Sequence, residues 1–202
     1  MNNIVGYLKN LLKKTPFHPQ WLIFRDNYQG VAKLTDYIGD KVLDIGCGRC
    51  EIKKYLPKET DYTGIDYYYT SINWYRSAPD IFADAQNLPI RSGAINTVFF
   101  FDVLEHIPEP EQCLHEISRI LGKQGKLILQ TPFIYPVHDS PLDFTRWTIF
   151  GLEKMLKAEG LNIINIRYYG EPIETSLLMI NMALSKTFLN SLARINLLLM
   201  DV

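Results

Sequence analysis

From Lys41 onward the chain repeats one pattern: a short apolar run, a turn, then a helical stretch. Val42-Leu43-Asp44-Ile45 is the first run, closed by Gly46-Cys47-Gly48. Tyr62-Thr63-Gly64-Ile65-Asp66, residues 80–84, residues 97–101, residues 126–130 and residues 161–166 read as five more strands. Thr97-Val98-Phe99-Phe100-Phe101 is apolar on both faces, which predicts a central strand covered on both sides. Glu111 to Leu121 and Thr148 to Ala158 carry apolar residues at helical spacing, and Gly122 and Gly160 stand where helix C-caps are expected. Strands alternating with helices predict a mostly parallel sheet with right-handed crossovers and helices on both faces. In such a sheet ligands sit outside the carboxyl ends of the strands, so the residues just after each strand are the ones to read.

Those residues form a pattern. Glycines at 46 and 48 permit a tight turn and let a ligand approach the backbone. Asp66 closes the second strand 22 positions beyond Asp44, where an acid can accept from both hydroxyls of a ribose. A nicotinamide dehydrogenase shares much of this, but its fingerprint wants a third glycine at position 51. The chain has Glu51 there, and a carboxylate at that place disfavours a pyrophosphate. Cys47-Gly48-Arg49-Cys50 is also a C-x-x-C, yet a dithiol site has no use for Asp44 or Asp66. Cys113 and His115 point to different faces of one helix, so no metal site is expected.

With these motifs in order, the chain resembles the class I S-adenosylmethionine-dependent methyltransferases, and in Phe101-Asp102-Val103-Leu104-Glu105-His106-Ile107 their type 11 branch. The resemblance covers about residues 40–170. It implies a Rossmann-like class I methyltransferase fold with S-adenosyl-L-methionine as cofactor. Asp44 and the backbone of Gly46, Cys47 and Gly48 are then expected at its methionine end, and Asp66 at the ribose. The Asp84 side chain and the Ala85 amide are expected at the adenine, with Tyr67 against its face. The Phe101 carbonyl would meet the ammonium, and His106 would close the pocket. Cys50 departs from the family, where a third glycine is frequent; its small size is expected to preserve binding. Glu105 is read as a cap or as a partner to a neighbouring helix.

Residues 131–148, after the fifth strand, are rich in proline and aromatics and gather His138, Asp139, Asp143 and Arg146. Long loops of this composition are usually functional. The plain expectation is that Asp143 pairs with Arg146 and pins the loop. The functional one makes His138 a general base for a hydroxyl acceptor, Asp143 or Asp139 its orienting group, and Arg146 a holder of an acidic group. The pattern His-x-x-Pro-x-Asp-Phe-x-Arg is similar to methyltransferases encoded with bacterial surface-polysaccharide genes, which implies a small-molecule, glycan or lipid-linked sugar acceptor and O-methylation. A non-catalytic binding module on the same fold is the alternative.

The 202 residues suit one domain, with an amphipathic helix over 1–20, the cofactor core over 40–170 and an apolar helical segment over 171–202. Relatives end on one more antiparallel strand, which is not legible after Gly170; either the chain is truncated or the apolar segment replaces that strand. That segment is expected to pack on the sheet edge or a second copy, giving a homo-oligomer, or to make a peripheral membrane contact. A net charge of -1 gives no field for nucleic acid, and three cysteines fit a reducing cytosol. Met1 to Gly6 show no secretory leader, so a cytoplasmic location is expected.

Overall fold

The structure, a computed structural model, describes Leu34, residues 36–168 and residues 170–184. The predicted N-terminal helix and the last part of the apolar segment lie outside the described residues. By contact the chain divides into two compact units: Tyr28–Ile166, and Met1–Asn27 with Arg167–Val202.

The larger unit is an α/β layer structure around one parallel sheet. Its strands are β1 (Lys41–Ile45), β2 (Asp61–Asp66), β3 (Ile81–Phe82), β4 (Ile95–Phe101) and β5 (Leu121–Gln130), in the order β3-β2-β1-β4-β5. All four pairings are parallel, and β1 sits between β2 and β4, with Asp44 opposite Gly64 on one side and Phe99 on the other. Strand order reverses at β1, so a crevice opens between the carboxyl ends of β1 and β4. The Rossmann-like expectation is met.

The sheet is buried on both faces, as the unbroken apolar run of β4 requires. Leu43, Ile45, Val98 and Phe100 point to one face, where they meet Leu114 and Ile117 of α1 (Pro110–Ile120) and Leu156 of α2 (Ile149–Ala158). Val42 and Phe99 point to the other face and pack with Ile52. Each fully buried side chain of this size stabilises by about 1.5–3 kcal/mol. These contacts fix the strand ends that carry the functional groups.

Three expectations are corrected. Residues 161–168 form no strand: Leu161 and Ile163 pack on the core while Ile164 and Ile166 are exposed, so the alternation is there without a pairing partner among the described residues. Strand β3 shrinks to two residues because Asp84 turns back to bridge Asn87. Gly122 is not a left-handed cap. The helix ends at Ile120, Leu121 leaves in extended conformation, and β5 begins at once. Gly160, with φ +75°, does stop α2, and the Thr148 hydroxyl caps its start by accepting from the Gly151 amide at 3.1 Å.

In the smaller unit a helix spans 172–184. Ile173, Leu177, Ile180 and Leu184 form an exposed stripe along it. Among the described residues no helix is long and apolar enough to cross a membrane.

Candidate active site

The turn after β1 is shaped by backbone angles that side chains seldom adopt. Gly46 has φ +73°, and a Cβ there would run into the Val103 side chain, so only glycine fits. The Gly46 and Cys47 amides both donate to the Ile65 carbonyl, at 2.8 and 3.1 Å, and fold the turn over the end of β2. Gly48 has φ +52°, and its amide donates to Asp66 Oδ2 at 2.7 Å. Cys50 is also left-handed, with φ +53°, at a cost of about 1–2 kcal/mol for a side-chain-bearing residue. That is the physical reason a glycine is frequent there.

Both thiols of this turn are free, and they press on Gly64: a Cβ at that position would lie 3.0 and 3.1 Å from the two sulfurs. Burial pushes the Cys47 thiol far up, and the neighbouring Cys50 adds to it, so Cys47 is no thiolate. Glu51 starts a 3-10 turn (Glu51–Tyr55) and pairs with Lys54 at 2.5 Å, so its charge is partly answered on its own turn.

Two buried acids flank the turn. Asp66 accepts from the Tyr67 amide (2.7 Å) and the Thr70 hydroxyl (2.9 Å) through Oδ1, besides Gly48 through Oδ2. Three of about four lone-pair sites are therefore used within the chain. Asp44, 4% exposed, accepts from the Tyr62 phenol at 2.6 Å. Burial pushes the Asp44 carboxyl up to about 6; the Tyr62 bond opposes this, and the Asp66 charge adds to it. No Lys, Arg or His pairs with Asp44 among the described residues.

Beyond β3, Asp84 is exposed, its Oδ1 accepting from the Gln86 amide at 2.8 Å, while Ala85 is buried. Tyr67 is half exposed beside Asp66. Phe101 ends β4 with its ring edge-on to Phe99. Next comes Asp102, a residue the sequence reading passed over. Its φ is +54°, its amide donates to the Gln130 carbonyl at 2.9 Å, and Gln130 Nε2 donates to its carboxylate at 3.0 Å. Burial pushes its carboxyl up, against the Gln130 bond and the nearby His138 and His106 rings. An acid directly after a buried strand was the available signal. Tyr62, whose phenol holds Asp44, gave no comparable signal.

Glu105 does not pair with a helix, contrary to expectation. It sits in a 3-10 turn (Leu104–His106), fully buried, facing the loop after β5. Its carbonyl accepts from the Phe144 and Thr145 amides, at 2.8 and 3.4 Å. Oε2 accepts from the Thr131 hydroxyl at 3.4 Å, and Oε1 has no hydrogen-bond partner. Burial pushes its carboxyl up to about 7. His106 Nδ1 lies 2.6 Å from the Leu142 carbonyl, and Nε2 lies 3.9 Å from Glu105 Oε1 and 4.0 Å from Asp139 Oδ2.

Arg146 is the hub of the loop. Its guanidinium donates to both oxygens of Asp143, at 2.5 and 2.8 Å, and to the carbonyls of Tyr135, Pro136 and Thr145, at 3.3, 3.3 and 2.9 Å. Those bonds use its donors within the loop. Asp143 is 2% exposed, and Arg146 holds its carboxyl well below the usual carboxylate range. Asp143 also accepts from the His138 amide at 2.9 Å and lies 3.2 Å from His138 Nδ1. The His138 ring stands edge-on to His106 and Tyr135, with centroids 4.9 and 5.0 Å away. The structure thus brings Asp44, Gly46, Cys47, Gly48, Asp66 and Tyr67 into one cradle, and His106, His138, Asp143 and Arg146 into one cluster. Asp84 and Ala85 follow β3, where the Ala83 amide donates to the Asp66 carbonyl at 3.1 Å.

Residues 43–129 match the family described as "Methyltransferase domain", in its type 11 branch. A malonyl-[acyl-carrier protein] O-methyltransferase of Legionella pneumophila is 27% identical over 52% of this chain. The match spans 46% of that relative's length. In fold the chain resembles the YcgJ protein of Bacillus subtilis (TM-score 0.59, 15% identity, 78% of this chain and 77% of that one). It also resembles a SAM-dependent methyltransferase from Aquifex aeolicus (TM-score 0.57, 15% identity, 76% of this chain and 94% of that one).

Sheet order and solved neighbours agree on a Rossmann-like methyltransferase fold, and the family match over residues 43–129 implies S-adenosylmethionine as cofactor. The residues present fit that cofactor. At the left-handed Gly48 only the Tyr75 ring, 4.0 Å away, comes near the place of a Cβ, so the backbone there lies open to a ligand. Asp44 is a buried acid without a cation, suited to an ammonium, and Asp66 keeps one free lone-pair site for a ribose hydroxyl.

Proposed function

We propose that this chain transfers the methyl group of S-adenosylmethionine to a hydroxyl oxygen of a small-molecule or saccharide acceptor. Asp44 and the Gly46–Gly48 backbone hold the methionine end, with the Phe101 carbonyl beside the ammonium. Asp66 takes the ribose, while Asp84, Ala85 and Tyr67 take the adenine. His106 closes the pocket. When bound, the cofactor supplies a methyl group already activated by its sulfonium charge. The chain's task is then to align the acceptor, exclude water and accept a proton.

The observation that carries the acceptor reading is the wiring of Arg146. Its donors are engaged by Asp143 and three carbonyls, so the loop offers no free guanidinium for an acidic acceptor. A neutral hydroxyl fits better than a carboxylate, even though the Legionella relative is named for a malonyl acceptor. His138 is the residue to take the hydroxyl proton. Asp143, held by Arg146, orients its ring, so these two act as positioning residues. The sugar class rests on the His-x-x-Pro-x-Asp-Phe-x-Arg pattern of this loop and its aromatic wall.

The test is methyl transfer from labelled cofactor to a panel of glycosides, nucleotide sugars and carboxylic acids, beside calorimetry with S-adenosylhomocysteine. Hydroxyl acceptors should be methylated, and His138→Ala should lower kcat by about 10²–10⁴-fold while product affinity is kept. Turnover with acids alone rejects the hydroxyl assignment. Tight cofactor binding with no turnover on any acceptor leaves the binding-module alternative.

A further inference from the structure

We propose that Glu105, His106 and His138 form a binding site for one divalent transition-metal ion of the zinc or cobalt type. One donor atom from each of the three residues lies within 4.8 Å of the others. The hydrogen bonds behind the two rings leave each a nitrogen free to act as a ligand.

The nitrogens can be assigned from their neighbours. His106 Nδ1 stands 2.6 Å from the Leu142 carbonyl, a distance that requires an N–H on Nδ1. In the neutral ring Nε2 then carries the lone pair, the form in which imidazole binds metals. His138 Nδ1 lies 3.2 Å from Asp143 Oδ2 and 3.3 Å from the Pro136 carbonyl. The neighbouring Arg146 nitrogen lies 3.3 Å away, but its two hydrogens are directed to Asp143 Oδ2 (2.8 Å) and the Pro136 carbonyl (3.3 Å). His138 Nδ1 is then the donor to the Pro136 carbonyl, and Nε2 is its lone-pair nitrogen.

A carbonyl or carboxylate behind each ring is the arrangement that orients metal-ligating histidines. The third member has no donor either. Glu105 Oε1 is buried without a hydrogen-bond partner, and His106 Nε2, at 3.9 Å, is too far to supply one. An unmet buried carboxylate oxygen costs about 1–3 kcal/mol or more, and a cation between it and the two rings removes that cost.

Two nitrogens and one oxygen, with no sulfur, suit zinc, cobalt or nickel rather than copper(I). Ligand distances of about 2.0–2.2 Å would draw the three atoms together by roughly 1 Å. Asp139 Oδ2, 4.0 Å from His106 Nε2, is within reach as a further ligand. Both rings are partly exposed, which leaves a path of entry.

The use of this site rests on the methyl-transfer reading; its occupancy does not. A hydroxyl bound to the ion loses its proton to solvent. Its oxygen pair then forms the O–CH3 bond as the S–CH3 pair returns to sulfur. In the loaded protein His138 is a ligand, and the ion takes over the acidifying role.

Cobalt(II) titration of the whole chain tests this. One equivalent should bind per chain, with visible d–d absorption that zinc(II) abolishes. His138→Ala, at a partly exposed loop position, and Glu105→Gln should each weaken binding at least tenfold, with circular dichroism confirming the fold. His115→Ala, outside the cluster, should not change it. No stoichiometric binding, wild-type affinity in the folded His138→Ala variant, or equal loss in His115→Ala overturns the site. A parallel titration with S-adenosylhomocysteine separates the two readings. Its binding without cobalt binding defeats the metal site alone, and its failure to bind defeats methyl transfer.

Discussion

In the turn after β1 the functional groups are backbone amides and strand-end acids; in the loop after β5 they are side chains fastened to one another. Gly46, Cys47 and Gly48 take their positions from the register of β1 and β2 and from the Ile65 carbonyl and Asp66. His138 takes its position from Asp143, which takes its own from Arg146. The first region inherits its rigidity from a buried sheet. The second makes its own from a single guanidinium. A cofactor site built the first way tolerates little change. An acceptor site built the second way can change while the cradle stays intact.

Four experiments bear on this contrast, beginning with the largest effect. Gly46→Ala should abolish measurable S-adenosylhomocysteine binding and lower Tm, because the added methyl meets Val103 and the left-handed angle alone costs about 1–2 kcal/mol. Calorimetry and thermal unfolding read both. A variant that binds normally breaks the claim that the turn is fixed by backbone shape.

Arg146→Lys should act on the other region only. A lysine cannot reproduce the two-pronged bond to Asp143. Acceptor kcat/KM should fall by roughly ten- to a hundredfold, about 1.4–2.7 kcal/mol. Amides over residues 136–145 should exchange faster, and cofactor affinity should hold. If cofactor affinity falls as steeply, the two regions are not separately built.

A smaller effect concerns pH. The Asp44 carboxyl is pushed up to about 6 in the folded chain from an ordinary 3.8. The folded state therefore binds this proton more tightly than the unfolded one, and the contribution of Asp44 to stability falls as pH rises from about 4 to 6. The ligand's ammonium needs the charged form, so affinity should drop about tenfold between pH 7 and 5. Asp44→Asn should flatten that profile. An unaltered slope in the variant removes Asp44 from the ammonium site.

The smallest effect should come from Cys50→Gly. It relieves one left-handed residue and should raise stability by about 0.5–1 kcal/mol with little change in binding. Chemical denaturation would measure it. A loss of stability would mean that the Cys50 thiol's packing against Gly64 outweighs its backbone strain.

What could be read in advance divides along the same line. Strand β4 announces itself because a strand buried on both faces is largely apolar, while β1 and β2 are shorter and are marked by what closes them, Gly46, Gly48 and Asp66. Residues 161–166 misled because alternation reports exposure, not whether a neighbour offers hydrogen bonds. In the loop the sequence displays His138, Asp143 and Arg146 as a cluster. It cannot say that the donors of Arg146 are used internally, since this depends on where the Tyr135, Pro136 and Thr145 carbonyls fall. Glu105 was harder still. Its unpartnered oxygen exists only because the loop buries it.

The carbonyl of Glu105 receives the amides of Phe144 and Thr145, so the short turn after β4 is the seat on which the acceptor loop rests. The same turn follows Asp102 and the end of β4, beside the proposed seat of the cofactor's methionine end. A shift that either proposed ligand makes in this seat would be felt by the other. By linkage each must then change the other's affinity by one common factor. Filling the cradle first would settle the loop before the acceptor arrives, giving an ordered sequence of arrival rather than a random one.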